Sequence, residues 1–208
     1  MDRREHLRSA RLYFISDARP GGRPLAEVLE PALAGGADLF QLRDKTATDD
    51  ELLAAGAVAR DLCAQAGALF VVNDRPDIAA QVGADGVHVG QDDASVADAR
   101  AVVGPDVLVG LSTHSPAQID AVPAEADMIG VGPIFATPTK ADVVPVGLEL
   151  LDYAAAHARV PFFAIGGLDA ETTPQAVAHG ASRIAVVRAI ADAPDPAAAA
   201  RTLQGLLG

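Results

Sequence analysis

Cysteine occurs once in the 208 residues, as Cys63, and that scarcity excludes a disulfide framework and any zinc site built on a cysteine pair or cluster. Cations are also in short supply: 16 Lys and Arg stand against 28 Asp and Glu, a net charge of −12. This balance opposes non-specific binding to nucleic acid, whose affinity comes mainly from cations neutralising phosphates. Any phosphate bound here has to be met by a few local cations, backbone amides or a metal. No stretch approaches the roughly 18 uninterrupted apolar residues of a membrane span, and the charged N-terminus MDRREHLRSARLYF has no apolar run of signal-peptide length. With half of the residues hydrophobic, disorder, collagen and coiled coil are excluded, and the expectation is a soluble cytoplasmic protein. No Pro/Ser-rich linker or charge block divides the chain, so residues 1–208 are read as one domain.

What is present is a regular alternation. Eight short apolar runs recur, at 11–16, 38–43, 68–73, 85–90, 107–112, 127–132, 161–166 and 183–188. The stretches between them carry apolar residues at helical spacing, as in Leu52, Leu53, Ala57, Val58 and Leu62. The runs are nearly continuous in apolar residues, the pattern of parallel strands covered on both faces. Gly-Ala pairs at 36–37, 67–68, 83–84 and 180–181 suit left-handed helix ends before the next strand. Eight βα units of about 25 residues predict a compact (β/α)8 TIM barrel, with any site on the loops that follow the strands. The rival, a doubly wound sheet, is disfavoured because Asp17-Ala18-Arg19-Pro20-Gly21-Gly22 lacks the G-x-G-x-x-G spacing after the first strand.

Polar residues crowd the predicted strand ends. Gln41, Arg43 and Lys45 alternate along one strand, so all three can share one face at the barrel mouth, where two cations and an amide suit a phosphate or diphosphate. Against this stands ordinary surface pairing of Arg43 and Lys45 with Asp44. Asp74 and Asp93 lie on adjacent strand ends, one βα unit apart, and hard oxygen donors suit Mg²⁺, which usually takes one or two carboxylates and shares its other positions with water and phosphate. Helix capping by Asp93 near Ser95 and by Asp74 near Pro76 is the alternative, and Asp92 is a neighbouring candidate. Thr137, Thr139 and Lys140 sit in a long loop with Gly132, Pro133 and Pro138, a candidate lid. Gly166-Gly167 and Val187-Arg188 occupy the loops where barrels commonly hold phosphate on backbone amides, although a Gly-Gly pair also serves a tight turn. Two anion sites are therefore expected. His88, inside a strand, reads as a core histidine; the role of His114 is open; His6, His157 and His179 read as surface residues and Cys63 as buried filler.

Taken in order, Tyr13-Phe14-Ile15-Ser16-Asp17, Gln41-Leu42-Arg43-Asp44-Lys45, Asn73-Asp74-Arg75-Pro76-Asp77-Ile78-Ala79, the stretch from Ala84 to Asp93, Gly130-Val131-Gly132-Pro133-Ile134-Phe135 with Thr137-Pro138-Thr139-Lys140, and Ala164-Ile165-Gly166-Gly167-Leu168 resemble the thiamine-phosphate synthase family over essentially the whole chain. The resemblance implies a Mg²⁺-dependent transferase that condenses 4-amino-2-methyl-5-hydroxymethylpyrimidine diphosphate with a thiazole phosphate, giving thiamine phosphate and pyrophosphate. It implies that Gln41, Arg43, Lys45, Asn73, Ser112 and Lys140 hold the pyrimidine diphosphate, with Arg43, Lys45 and Lys140 catalytic; that Asp74 and Asp93 hold Mg²⁺; and that Thr137, Thr139, Gly167, Val187 and Arg188 hold the thiazole phosphate. One departure stands out: members of the family often carry Ser where this chain has Arg188. A backbone contact survives that change and a hydroxyl contact does not. Diphosphate departure from a carbon on an electron-rich aminopyrimidine needs no general base, so catalysis would rest on leaving-group stabilisation and alignment. Alternatives are a related barrel that isomerises a thiazole by proton transfer with His114 as base, and a catalytically silent barrel that senses a phosphorylated metabolite. Small molecules are the expected partners, with neither nucleic acid nor membrane; a homo-oligomer is compatible with the sequence.

Overall fold

The computed structural model describes residues 2–137 and 144–208. Its strands are β1 (Leu12–Ser16), β2 (Leu39–Leu42), β3 (Leu69–Asn73), β4 (Gly86–Val89), β5 (Leu108–Thr113), β6 (Met128–Val131), β7 (Phe162–Ile165) and β8 (Ile184–Val186). Each pairs in parallel with the next and β8 pairs with β1, closing a barrel in the order of the sequence. Seven strands fall within their apolar runs and β5 extends one residue beyond its own, so the predicted (β/α)8 barrel is what the chain forms. Helices α1 (Arg3–Ser9), α2 (Leu25–Ala34), α3 (Asp49–Ala66), α4 (Pro76–Val82), α5 (Val96–Val103), α6 (Pro116–Asp120), α7 (Glu149–His157), α8 (Thr173–Ala178), α9 (Arg188–Ala191) and α10 (Pro196–Leu206) complete the described elements. None of them is long and apolar enough to cross a membrane.

Local signals explain where helices begin and end. Thr48 and Glu51 form a reciprocal capping box at the start of α3, which carries Asp49, Asp50 and Glu51 in its positive first turn. The helix closes on Gly67 at φ 68°, and α4 closes on Gly83 at φ 69°, as the Gly-Ala pairs predict.

Alternation along the strands creates two apolar regions. Phe14, Phe40 and Phe70, in register on β1, β2 and β3, point outward with Leu12, Leu42 and Val72 into the layer beneath the helices. Tyr13, Ile15, Leu39, Leu69, Val71, Leu108, Met128, Phe163 and Ala185 form a separate cluster inside the barrel. There the Tyr13 and Phe163 rings meet edge-on at 5.3 Å.

Opposite the mouth, a repeated device closes the floor. Asp38, Asp85 and Asp127 stand just before β2, β4 and β6, and each accepts hydrogen bonds from the start of the preceding strand: from Leu12 N at 3.0 Å, Phe70 N at 3.1 Å and Val109 N at 2.8 Å. Helix α1 lies across this end and donates Arg3 Nε to Asp85 at 2.8 Å and Arg4 Nε to Asp127 at 2.7 Å. Arg100 of α5 reaches Asp127 from the other side at 2.6 Å. The three carboxylates thus pin strand pairs in register and anchor the N-terminal helix.

Candidate active site

A cavity of about 490 Å³ opens at the C-terminal ends of the strands. Its walls hold Gln41, Arg43, Lys45, Asn73, Asp74, Asp93, Ser112, Thr137, Gly167, Val187 and Arg188, so these predicted site residues reach one space. Thr139 and Lys140 lie outside the described residues. The residues expected at the two anion sites line opposite sides of this cavity, those after strands two to four on one side and those after six to eight on the other. The sequence has two lysines, Lys45 and Lys140, and Lys45 stands in the loop that follows β2.

Surface pairing of Arg43 and Lys45 with Asp44 is not what forms. The Asp44 carboxylate turns away and accepts from Thr46 N at 3.0 Å, Thr46 Oγ1 at 2.9 Å, Ala47 N at 3.0 Å and Ala18 N at 3.4 Å. Burial alone would raise its pKa, but these bonds outweigh burial and hold it below the usual carboxylate value. Asp44 therefore ties the loop after β2 to the loop after β1, with its flanking cations left to face the cavity.

Asp74 and Asp93 converge, and neither caps a helix. Ser95 caps α5 through Asp98 N, and α4 has no side-chain cap. Asp93 Oδ2 accepts from Gly90 N at 2.9 Å; Asp92 and Asp93 are both exposed, but of the two only Asp93 lines the cavity. Asp74 sits at φ 60°, the one positive φ of a non-glycine among the described residues, held there by its N–H bond to His88 O at 2.8 Å. Burial raises its pKa, the hydrogen bond and charge of Asp93 raise it further, and Lys45 and Arg43 pull it down only in part. Lys45 Nζ stands 3.6 Å from Asp74 Oδ2.

The loops after β6 and β7 interlock. Gly166 and Gly167 have φ of 103° and 65°, and a Cβ at Gly167 would lie 2.7 Å from Phe135 Cβ. Glycine is thus required by backbone conformation and close approach, whatever else its amides do. His114 also meets this region: its Nδ1 is hydrogen-bonded to Gly132 O, and since a carbonyl only accepts, Nδ1 carries the hydrogen.

Residues not singled out from sequence complete the wall. Tyr13, Ile15, Met128 and Phe163 line it from inside the barrel. His88 belongs to it as well as to the strand interior, with Nε2 at 3.0 Å from Ser112 Oγ; its bulk is accommodated by Gly110 and Gly130 on the two following strands. Gln91 Nε2 donates to Ser112 O at 2.6 Å, bracing the end of β5. Strict alternation from Gln41 around the neighbouring strands was the signal available for all of the inward residues. His6 and His179 are half-buried and His157 is exposed; the buried Cys63 thiol is pushed up to about 12 by desolvation and then by the charge of Asp85.

A parallel barrel whose mouth gathers cations and paired carboxylates has the charges and donors to hold a phosphorylated small molecule. Residues 12–190 match the family described as thiamine monophosphate synthase, and the chain belongs to it. It is 48% identical over 196 residues to a thiamine-phosphate synthase of Gloeobacter violaceus, covering 94% of this chain but 57% of that protein. With a thiamine-phosphate synthase of Thermobifida fusca it shares 48% identity over 204 residues, 97% of this chain and 94% of the relative. The chain therefore spans a little over half the length of the cyanobacterial relatives it matches. The solved structure of thiamine phosphate pyrophosphorylase from Pyrococcus furiosus superposes with a TM-score of 0.86 at 34% identity, over 98% of this chain and 96% of that one.

Proposed function

We propose that this chain catalyses the condensation of 4-amino-2-methyl-5-hydroxymethylpyrimidine diphosphate with thiazole phosphate, forming thiamine phosphate and pyrophosphate. The observation that carries this reading is the meeting of Arg43, Lys45 and the Asp74–Asp93 pair on one side of a cavity whose other side is formed by the Gly167 and Val187-Arg188 loops. Family membership supports the same reading.

In the proposed reaction the carbon–oxygen bond to the diphosphate breaks with its electron pair leaving on pyrophosphate, and the thiazole nitrogen supplies the pair for the new carbon–nitrogen bond. Arg43, Lys45 and Lys140 bind the diphosphate and stabilise the charge that develops on it. Asn73 and Ser112 hold its remaining oxygens, and Gln41 faces the pyrimidine. Thr137, Thr139, Gly167, Val187 and Arg188 bind the thiazole phosphate opposite, which aligns the two rings without a general base.

The donor set suits Mg²⁺: the Asp93 carboxylate raises the cost of ionising Asp74, a burden that a hard divalent ion relieves, and Mg²⁺ ordinarily takes no more than one or two such groups. When bound between Asp74 and Asp93 it would neutralise charge on the leaving diphosphate. A cytoplasmic setting accords with a lone, buried thiol.

The experiment is an assay of pyrophosphate with each substrate alone and with both, with and without Mg²⁺. Release that requires both substrates and the metal is expected. Interconversion of thiazole tautomers without Mg²⁺ or pyrophosphate would replace this reading with the isomerase, and binding without turnover would replace it with the sensor.

A further inference from the structure

A buried polar contact in the cavity wall joins Gln41 and Tyr13. Gln41 and Tyr13 are each 2% exposed, and Gln41 Nε2 donates to the Tyr13 hydroxyl at 2.6 Å. Burial raises the Tyr13 phenol far above its ordinary value, so it stays a neutral partner near pH 7. Its ring is held edge-on against Phe163 at 5.3 Å and 68°, and its backbone pairs with Leu39 on β2 and Ala185 on β8, so the hydroxyl is fixed by the barrel itself.

An amide has two different ends, a double donor and a double acceptor. With one Nε2 hydrogen given to Tyr13, Oε1 is the acceptor that the amide offers a ligand, and no hydrogen-bond donor to it stands among the described residues. Gln41 lines the cavity two residues before Arg43 on the same inward face, so a ring whose diphosphate lies on Arg43 comes within reach of this amide.

We propose that Tyr13 is a positioning residue that sets the orientation of the Gln41 amide, so that the cavity presents an acceptor and selects a pyrimidine bearing an amino group over one bearing a carbonyl at the same place. This rests on the functional reading above. A 4-amino ring offers an N–H to Oε1, whereas a 4-oxo ring sets two acceptors against each other in a dry site, where an unmet polar pair is strongly penalised. Removing the hydroxyl frees the amide to turn and present Nε2.

The test compares the 4-amino and 4-oxo pyrimidine diphosphates in wild type and Tyr13→Phe, by kcat/KM with saturating thiazole phosphate and by calorimetric binding of each pyrimidine alone. Wild type is expected to favour the amino ring by at least about 100-fold. In Tyr13→Phe this ratio falls at least about tenfold through a higher KM for the amino ring, while the KM for thiazole phosphate stays within about twofold. Loss of a buried hydroxyl also lowers thermal stability, but a merely structural role leaves the ratio unmoved. Should Tyr13→Phe fail to fold, Tyr13→Met fills the same space without a hydroxyl and carries the same expectation. An amino-to-oxo ratio unchanged within about twofold in the variant, or a wild type that prefers the oxo ring, overturns the inference and leaves the synthase reading standing. A wild type that neither binds nor turns over the amino substrate overturns both.

Discussion

Replacing Asp127 by Ala should cost more stability than any substitution at the mouth, although Asp127 touches nothing in the cavity. Its side chain is 10% exposed and accepts from Arg4, Arg100 and the Val109 amide at 2.7, 2.6 and 2.8 Å. The Arg4 pair is 37% exposed on the arginine side and contributes at most about 1 kcal/mol. Arg100 is 17% exposed, so removing its carboxylate strands a partly buried charge, and the Val109 amide at the start of β5 loses its acceptor, worth about 1–3 kcal/mol by itself. Together these predict a loss of about 3–5 kcal/mol. For a chain of this size that lowers the melting temperature by roughly 6–20 °C. Asp127→Asn keeps an oxygen for Val109 but no charge, and should lose roughly half as much. Urea titration followed by circular dichroism measures the free energies, and a double-mutant cycle with Arg100→Ala isolates the pair. Pyrophosphate release per folded molecule should stay within about twofold, because the floor of a barrel carries stability and its mouth carries chemistry. A loss under about 1 kcal/mol for Asp127→Ala would refute the reasoning that the carboxylate clamps β5, β6, α1 and α5 together.

At the mouth, Arg43→Ala should reduce turnover by two or more orders of magnitude without unfolding the protein, since removing one preorganised charge costs about 2.7–4 kcal/mol in comparable sites; unchanged turnover removes the diphosphate role. Asp74→Asn and Asp93→Asn should each raise the Mg²⁺ concentration needed for activity, yet leave metal-free thermal stability unchanged or improved, because each substitution relieves the repulsion that raises the Asp74 pKa; normal Mg²⁺ activation in both argues against a metal role. The stability gap between wild type and Asp44→Ala depends on pH with a fixed sign. A carboxylate held below its unfolded value contributes fully above that value, about 3.9, and the contribution disappears as pH falls through the folded one, so chemical denaturation across pH 2–7 should show the gap closing only on the acid side. His114→Ala should keep condensation within about tenfold, since no proton is taken from carbon; a larger loss assigns His114 a direct part in the reaction.

Much of this architecture is written locally. Each strand forms where an apolar run lies, because parallel strands buried on both faces have no need of polar residues until they emerge. Thr48, Gly67 and Gly83 mark helix ends through contacts only a few residues long, and Gln41 on β2 with Arg43 and Lys45 just past its end all line the cavity, as a two-residue repeat predicts. Other features depend on groups far apart in sequence. The presence of Asp93 rather than Asp92 in the cavity wall, the turning of Asp44 away from its neighbouring cations, the His88–Ser112 contact and the Gln41–Tyr13 bond are decided by closure of the sheet. So is the floor, where Asp85 meets Arg3 and Asp127 meets Arg4 across more than eighty residues. Periodicity determines which side of a strand a residue occupies; only the register and curvature of the closed barrel determine which carboxylate, amide or hydroxyl it finds there.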